Sequence, residues 1–198
     1  ADMSSPSCAE TLKARKDAPD GTYWLDWDGG FGNPAAPFYC DMKSGGWTRV
    51  ELHDFDGPTT TWNNVLLAKC GALGQGARPG FVQGASYNVM SRTFAVPPHA
   101  AARATFDLTG VDWSTPRSVS LFADGGDAKH QVWSYTGDPA AADKSLCYGA
   151  IKDVRKLGAV AEFKHSAPSL TLQIRGPKAD PGETIWWALI DNFSVWTR

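Results

Sequence analysis

The sequence predicts a mainly β protein, an antiparallel β-sandwich preceded by a small α+β segment. Three observations predict it. From about residue 89 onward, short stretches rich in β-branched and aromatic residues recur, separated by Pro- and Gly-rich turns. Within the best of these stretches, apolar and polar residues alternate with period two. No long amphipathic helix interrupts them, which disfavours the strand–helix alternation that builds a parallel sheet.

The closing stretch, Ile185 to Trp196, is the strongest strand signal. With period two, Ile185, Trp187, Leu189, Asp191, Phe193 and Val195 share one face, and Trp186, Ala188, Ile190, Asn192, Ser194 and Trp196 share the other. Apolar residues on both faces predict a central strand. Asp191 falls on the face that otherwise reads as core, and a buried carboxylate must find backbone donors, a basic partner or a metal ion. The other expected strands span about 89–96, 102–108, 117–123, 130–135, 158–164 and 169–175. Leu170, Leu172 and Ile174 alternate with Thr171, Gln173 and Arg175, and Ala104, Phe106 and Leu108 with Thr105 and Asp107, as strands with one face inward do.

At the other end, Ser7-Cys8-Ala9-Glu10 has the form of a capping box, so a helix should run to about Lys16 and stop before the turn Pro19-Asp20-Gly21. Short strands follow at Thr22–Asp26, Pro37–Met42 and from Trp47. His53 to Thr61 reads as a linker; Asp54, Asp56 and Gly57 lack the later acidic residue of an EF-hand. Residues 70–88 are Gly-rich and read as a long irregular segment.

Composition bounds the function. The 198 residues hold one sizeable domain or one with a small appendage, and a hydrophobic fraction of 42% supports a real core. Net charge is −2 with no block of Lys or Arg, so nothing recommends nucleic acid or an anionic membrane as partner. No apolar run reaches the roughly 18–20 residues of a transmembrane helix. The start at Ala fits a processed secreted chain or a trimmed one. Cys8, Cys40, Cys70 and Cys147 form no CxxC and no Cys/His cluster, which favours two disulfides in an oxidising compartment, with three connectivities open. Neither HExxH nor GxSxG occurs, and His53, His99, His130 and His165 have no metal-ligand spacing, so the chain is not expected to be an enzyme.

Two resemblances sharpen this reading. Ser7-Cys8-Ala9-Glu10, Asp20 to Asp26, Pro37 to Met42 and Gly45-Gly46-Trp47-Thr48 together resemble the opening subdomain of fibrinogen-like domains. That resemblance implies a Cys8–Cys40 bridge and ends near residue 60, before that family's calcium site and ligand pocket. Thr93-Phe94, Val96 to His99, Phe106-Asp107-Leu108, Val111-Asp112-Trp113, His165 to Leu172 and the Ile190-Asp191-Asn192-Phe193 run resemble the jelly-roll modules of secreted surface proteins with a galactose-binding-like fold. The expected organisation is therefore a fibrinogen-like subdomain over residues 1–60 and a jelly-roll β-sandwich over 61–198.

The second resemblance implies a Cys70–Cys147 bridge and a structural Ca²⁺ at Asp191, with Asp107 or Asp112 as a second carboxylate and carbonyls from residues 70–88. It also implies a sugar platform in loops, where an aromatic ring stacks on the sugar and polar groups take its hydroxyls. Trp113 with Asp112 is the first candidate, being a Trp in a Ser/Thr/Pro turn; Tyr148 and Trp186 follow. Trp133, Trp187 and Trp196 are assigned to core or sheet surface. The Asn192-Phe193-Ser194 sequon lies inside a strand and is not expected to be glycosylated. The expected function is a secreted, non-catalytic carbohydrate-binding or adhesive module, stabilised by calcium, whose partner is a glycan or an extracellular surface protein. The alternative is a structural protein of an extracellular assembly acting through protein contacts, for which a homo-oligomer is compatible.

Overall fold

The computed structural model describes residues 5–28, 34–81, 87–142, 145–147, 153–177 and 187–198, with the side chains of Ala72 and Phe81 excepted. Helix α1, Cys8–Ala14, starts at Ser7, whose Oγ accepts the Glu10 N–H at 3.2 Å. The Glu10 carboxylate turns instead to Lys13, one helical turn on. Strands β1 (Gly21–Leu25), β2 (Ala36–Asp41) and β3 (Trp47–His53) form an antiparallel meander. Cys8 and Cys40 are bonded, tying α1 to β2 over a small core with Ala18, Leu25 and Met42. The turn before β3 needs glycine at Gly46: its φ is +78°, and a Cβ there would lie 2.8 Å from Ala9 Cα on the helix backbone.

The body is a two-sheet antiparallel sandwich of β4 (Val65–Cys70), β5 (Gly74–Phe81), β6 (Tyr87–Ala95), β7 (Ala101–Val111), β8 (Arg117–Ala123), β9 (Gln131–Gly137), β10 (Val154–Lys164), β11 (Ser169–Pro177) and β12 (Trp187–Thr197). In one sheet β12 pairs with β7 along one edge, and along the other with β5 near its start and β3 near its end; β10 lies outside β7. The opposite sheet runs β5-β6-β11-β8-β9. Phe106, Leu108, Phe193 and Val195 from the first sheet meet Met90, Leu121, Leu170, Leu172 and Ile174 from the second in one continuous core. The central position expected for the last strand is thus found, and so is the jelly-roll sandwich.

Two expectations are corrected. Residues 70–88 are not irregular throughout: β4 and β5 form a hairpin from Val65↔Pro79 to Cys70↔Gly74, bent around a 3-10 turn at Gly71–Leu73. Two of the glycines that disguise β5 are packing requirements: a Cβ on Gly76 would lie 2.7 Å from Leu189 Cγ and 3.0 Å from Ile190 O, and one on Gly80 would collide with Asn64. Nor does Asp191 lie on the core face. A β-bulge between Asp191 and Ser194, with Asn192 at φ +51°, shifts the phase of β12. Ala188 and Ile190 point into the main core before it and Phe193 and Val195 after it, leaving Asp191 half-buried and Asn192 exposed.

The N-terminal unit is fused to the sandwich rather than hung from it. β3 is hydrogen-bonded to β12, from Phe193↔His53 to Thr197↔Thr48. Across this seam arginines and aromatic rings interleave. Arg103 of β7 lies 4.8 Å from the Trp47 ring and 4.7 Å from that of Trp196, and bonds Asp41 at 2.8 Å. Arg49 covers Tyr39 at 4.8 Å.

Candidate functional site

The turn expected to carry the sugar platform is a piece of core. Trp113 is 0% exposed, packed so tightly on Gly110 and Gly137 that a Cβ on either would collide with its ring. Its indole N–H bonds the carbonyl of Trp187 at 3.3 Å. A buried ring offers no face to a ligand, so Trp113 is not a stacking platform. Asp112, at φ +54°, turns the chain to bury it and donates its N–H to Asp153 Oδ1 at 3.0 Å. Asp153 is the buried carboxylate satisfied by backbone donors, for its Oδ2 also accepts N–H groups of Leu146 (2.6 Å) and Cys147 (2.8 Å). It braces the loop in which Cys147 bonds Cys70. Nothing in its sequence neighbourhood signalled this. Tyr148 and Trp186 lie outside the described residues.

The two carboxylates expected to hold calcium are cross-strand partners, Asp191↔Asp107. Asp107 Oδ1 accepts the Gly158 N–H (2.7 Å) and Oδ2 the Asn192 amide (3.0 Å), while Asp191 Oδ1 accepts the Asn192 N–H (2.7 Å). Burial pushes the Asp191 carboxyl up, and the like charges of Asp56, Asp107 and Asp54 add to it. Ca²⁺ takes six to eight oxygens. These two carboxylates supply part of such a shell and would leave the rest to backbone carbonyls or water, for among the described residues no group of three or more His, Cys, Asp or Glu is arranged to hold a metal ion.

A different surface brings ligand-type chemistry together: the outer face of β6, β11, β8 and β9. With Leu170, Leu172 and Ile174 turned inward, β11 presents Thr171, Gln173 and Arg175 outward. Their cross-strand neighbours are Thr93, Ser91 and Val89 on β6, and Phe122 and Ser120 on β8; Ser134 of β9 lies beyond Ser120. Period two places these side chains on one face. The Arg175 guanidinium is clasped between the rings of Tyr87 (4.3 Å) and Phe122 (4.4 Å), and its Nε donates to Gln173 Oε1 at 2.8 Å. Gly126, in the loop after β8, lies so close that a Cβ there would strike the guanidinium. Phe122 is itself buried and backs the guanidinium, while the half-buried Tyr87 ring reaches the surface. The result is a fixed planar donor fork beside one accessible ring, set in rows of hydroxyl groups with the Gln173 amide.

Arg175 and Gln173 are legible in the sequence as the polar phase of an alternating strand. So is Phe122, the aromatic that falls out of phase with Val119, Leu121 and Ala123. What the sequence lacks is the register that brings Tyr87 and Phe122 to either side of Arg175.

No protein-family model matches the chain, and no curated protein is significantly similar to it. Solved structures similar to it include the CBM22-1 xylan-binding domain of Paenibacillus barcinonensis Xyn10C, at 14% identity and a TM-score of 0.46, covering 75% of this chain and 94% of that one. They also include a carbohydrate-binding module of Cellvibrio mixtus lichenase 5A solved with cellotriose, at 11% identity and a TM-score of 0.42 (74% and 95% covered). A third is the K1 cleaved adhesin domain of Lys-gingipain from Porphyromonas gingivalis W83, at 11% identity and a TM-score of 0.44 (75% and 98% covered).

Proposed function

We propose that this chain is a secreted, non-catalytic carbohydrate-binding module whose binding surface is the outer face of β6, β11, β8 and β9. The observation that carries the reading is Arg175, held rigid between Tyr87 and Phe122 among the hydroxyls and amides of Ser91, Thr93, Thr171, Gln173, Ser120 and Ser134. Sugars present hydroxyls that both donate and accept and C–H faces that pack on rings, and this surface offers the complement of each. Prior fixation of the guanidinium lowers the ordering cost of binding. Two disulfides support an oxidising, extracellular location. For the N-terminal unit, the Cys8–Cys40 bridge and the capped helix ahead of β1 to β3 support the fibrinogen-like reading.

The test is a glycan array followed by calorimetry on the best ligand. Arg175→Ala and Tyr87→Ala should each weaken binding by at least roughly tenfold, about 1.4 kcal/mol, with melting temperature little changed. Unaltered affinity in both variants would remove the site.

Calcium at Asp107 and Asp191 rests on the mutual repulsion of their charges, which a cation would relieve. If it binds there, the melting temperature in calcium exceeds that in chelator. Equal melting temperatures in the two would dismiss it.

A further inference from the structure

A second recess lies away from that face, where the N-terminal unit meets the sandwich. It is a cleft of about 820 Å³ walled by Ser7, Glu10 and Lys13 of α1, by Trp27 beyond β1, and by His99 and Arg198 from the sandwich. That volume falls within the ordinary range for small-ligand sites.

Its charges are sharply divided in state. Lys13 is paired to Glu10 at the rim. His99 is locked, with Nδ1 2.6 Å from the Pro97 carbonyl and Nε2 2.6 Å from His165 Nδ1; the two rings are near-coplanar at 17° and meet end-on. Both nitrogens are therefore spent, and the ring serves as a stiff wall. His165 Nε2 in turn lies 2.8 Å from Asp124 Oδ2. Arg198 differs. Its guanidinium sits over the Trp47 ring at 4.6 Å, and among the described residues no carboxylate is paired with it. The close approach of this group is admitted by Gly45, where a Cβ would lie 2.8 Å from Arg198 Nη1. A flat guanidinium stacked on an indole keeps its N–H edge in plane, the geometry that matches a planar carboxylate.

We propose that this cleft is a second ligand site, and that it takes a saccharide bearing a carboxylate, with the sugar ring against Trp27 and the carboxylate on Arg198. The proposal rests on the carbohydrate-binding reading but uses none of the residues of the first face. An aromatic wall and a cation with no carboxylate paired to it among the described residues line one open cleft, which favours an acidic sugar over a neutral one because the carboxylate adds a charge-assisted contact that a hydroxyl lacks.

Calorimetry with trigalacturonate and with neutral galactotriose, on the full chain, tests it. The acidic trisaccharide should bind at least roughly tenfold more tightly, and the advantage should shrink as salt rises. Trp27→Ala and Arg198→Gln should each abolish that advantage, and Arg175→Ala should leave the affinity for trigalacturonate unchanged. Equal affinity for the two sugars, an unchanged advantage in Trp27→Ala, or weakened trigalacturonate binding in Arg175→Ala would each overturn the proposal. Should Arg198→Gln melt early through loss of its stacking on Trp47, Trp27→Ala decides alone. Loss of neutral-glycan binding in Arg175→Ala supports the first face whatever the cleft does.

Discussion

At the scale of single residues, the carboxylates behave according to what surrounds them. Burial pulls the Asp41 carboxyl up, but the bonds from Arg103 and Ser44 outweigh it and hold it below the ordinary range. Asp191 goes the other way, raised by burial and then by Asp56, Asp107 and Asp54. The sign follows from linkage. A carboxyl whose folded pKa lies above its unfolded value of 3.8 favours the fold while protonated, and that contribution is lost as pH rises through the folded pKa. Asp191→Asn should therefore melt slightly higher than the parent at neutral pH and converge with it below about pH 3.8, as pH-dependent thermal melts in chelator would show. Bound calcium would reverse the neutral-pH difference, which separates the two accounts of this residue. Trp113 carries the opposite lesson: a Trp in a turn is buried because Gly110 and Gly137 leave room for it. Turn composition in sequence marked the turn but not the distant Gly137 that, with the nearby Gly110, makes its pocket.

Among the elements, β12 and β5 show where periodicity succeeds and where it stops. Alternation identified β11 and β7 without error of phase, because neither strand itself carries an inserted residue; the bulges opposite β7 lie in β10 and β12. In β12 a single inserted residue at the bulge exchanges the faces, so Asp191 leaves the core and Phe193 enters it. β5 escaped notice because Gly74, Gly76 and Gly80 carry no side-chain pattern; Leu189 fills the space at Gly76 and Asn64 that at Gly80. The 77-residue separation of Cys70 and Cys147 ties the end of β4 to the loop before β10. Chain-entropy arguments give such a closure about 4 kcal/mol. A Cys70→Ala/Cys147→Ala double variant should lose stability of that order in denaturant titration, more than the shorter Cys8–Cys40 closure would cost. A loss under about 1 kcal/mol would mean that the Asp153 brace alone holds the loop.

For the whole molecule, the decisive feature is the seam. β3 begins in the N-terminal unit and ends as a rung beside β12, and Arg103 joins both parts through Asp41, Trp47 and Trp196. Arg103→Ala removes a buried charge-assisted bond and two cation–π contacts, so a cost of roughly 2–3 kcal/mol is expected. It should be seen as one cooperative transition at lower denaturant. Two separate transitions, with the N-terminal part melting first, would show that the parts are independent. The same seam shapes the cleft lined by Trp27 and Arg198, which neither part could form by itself.

The sequence alone determined the β-sandwich, the capped helix and the phase of the uninterrupted strands, because local propensity and period-two patterning act over a few residues at a time. Only the tertiary structure decided which side chains share a surface. Tyr87, Phe122 and Arg175 come together through strand register, and Trp27 and Arg198 through the pairing of β3 with β12. Both arise from pairings between residues far apart in the chain, which no local pattern records.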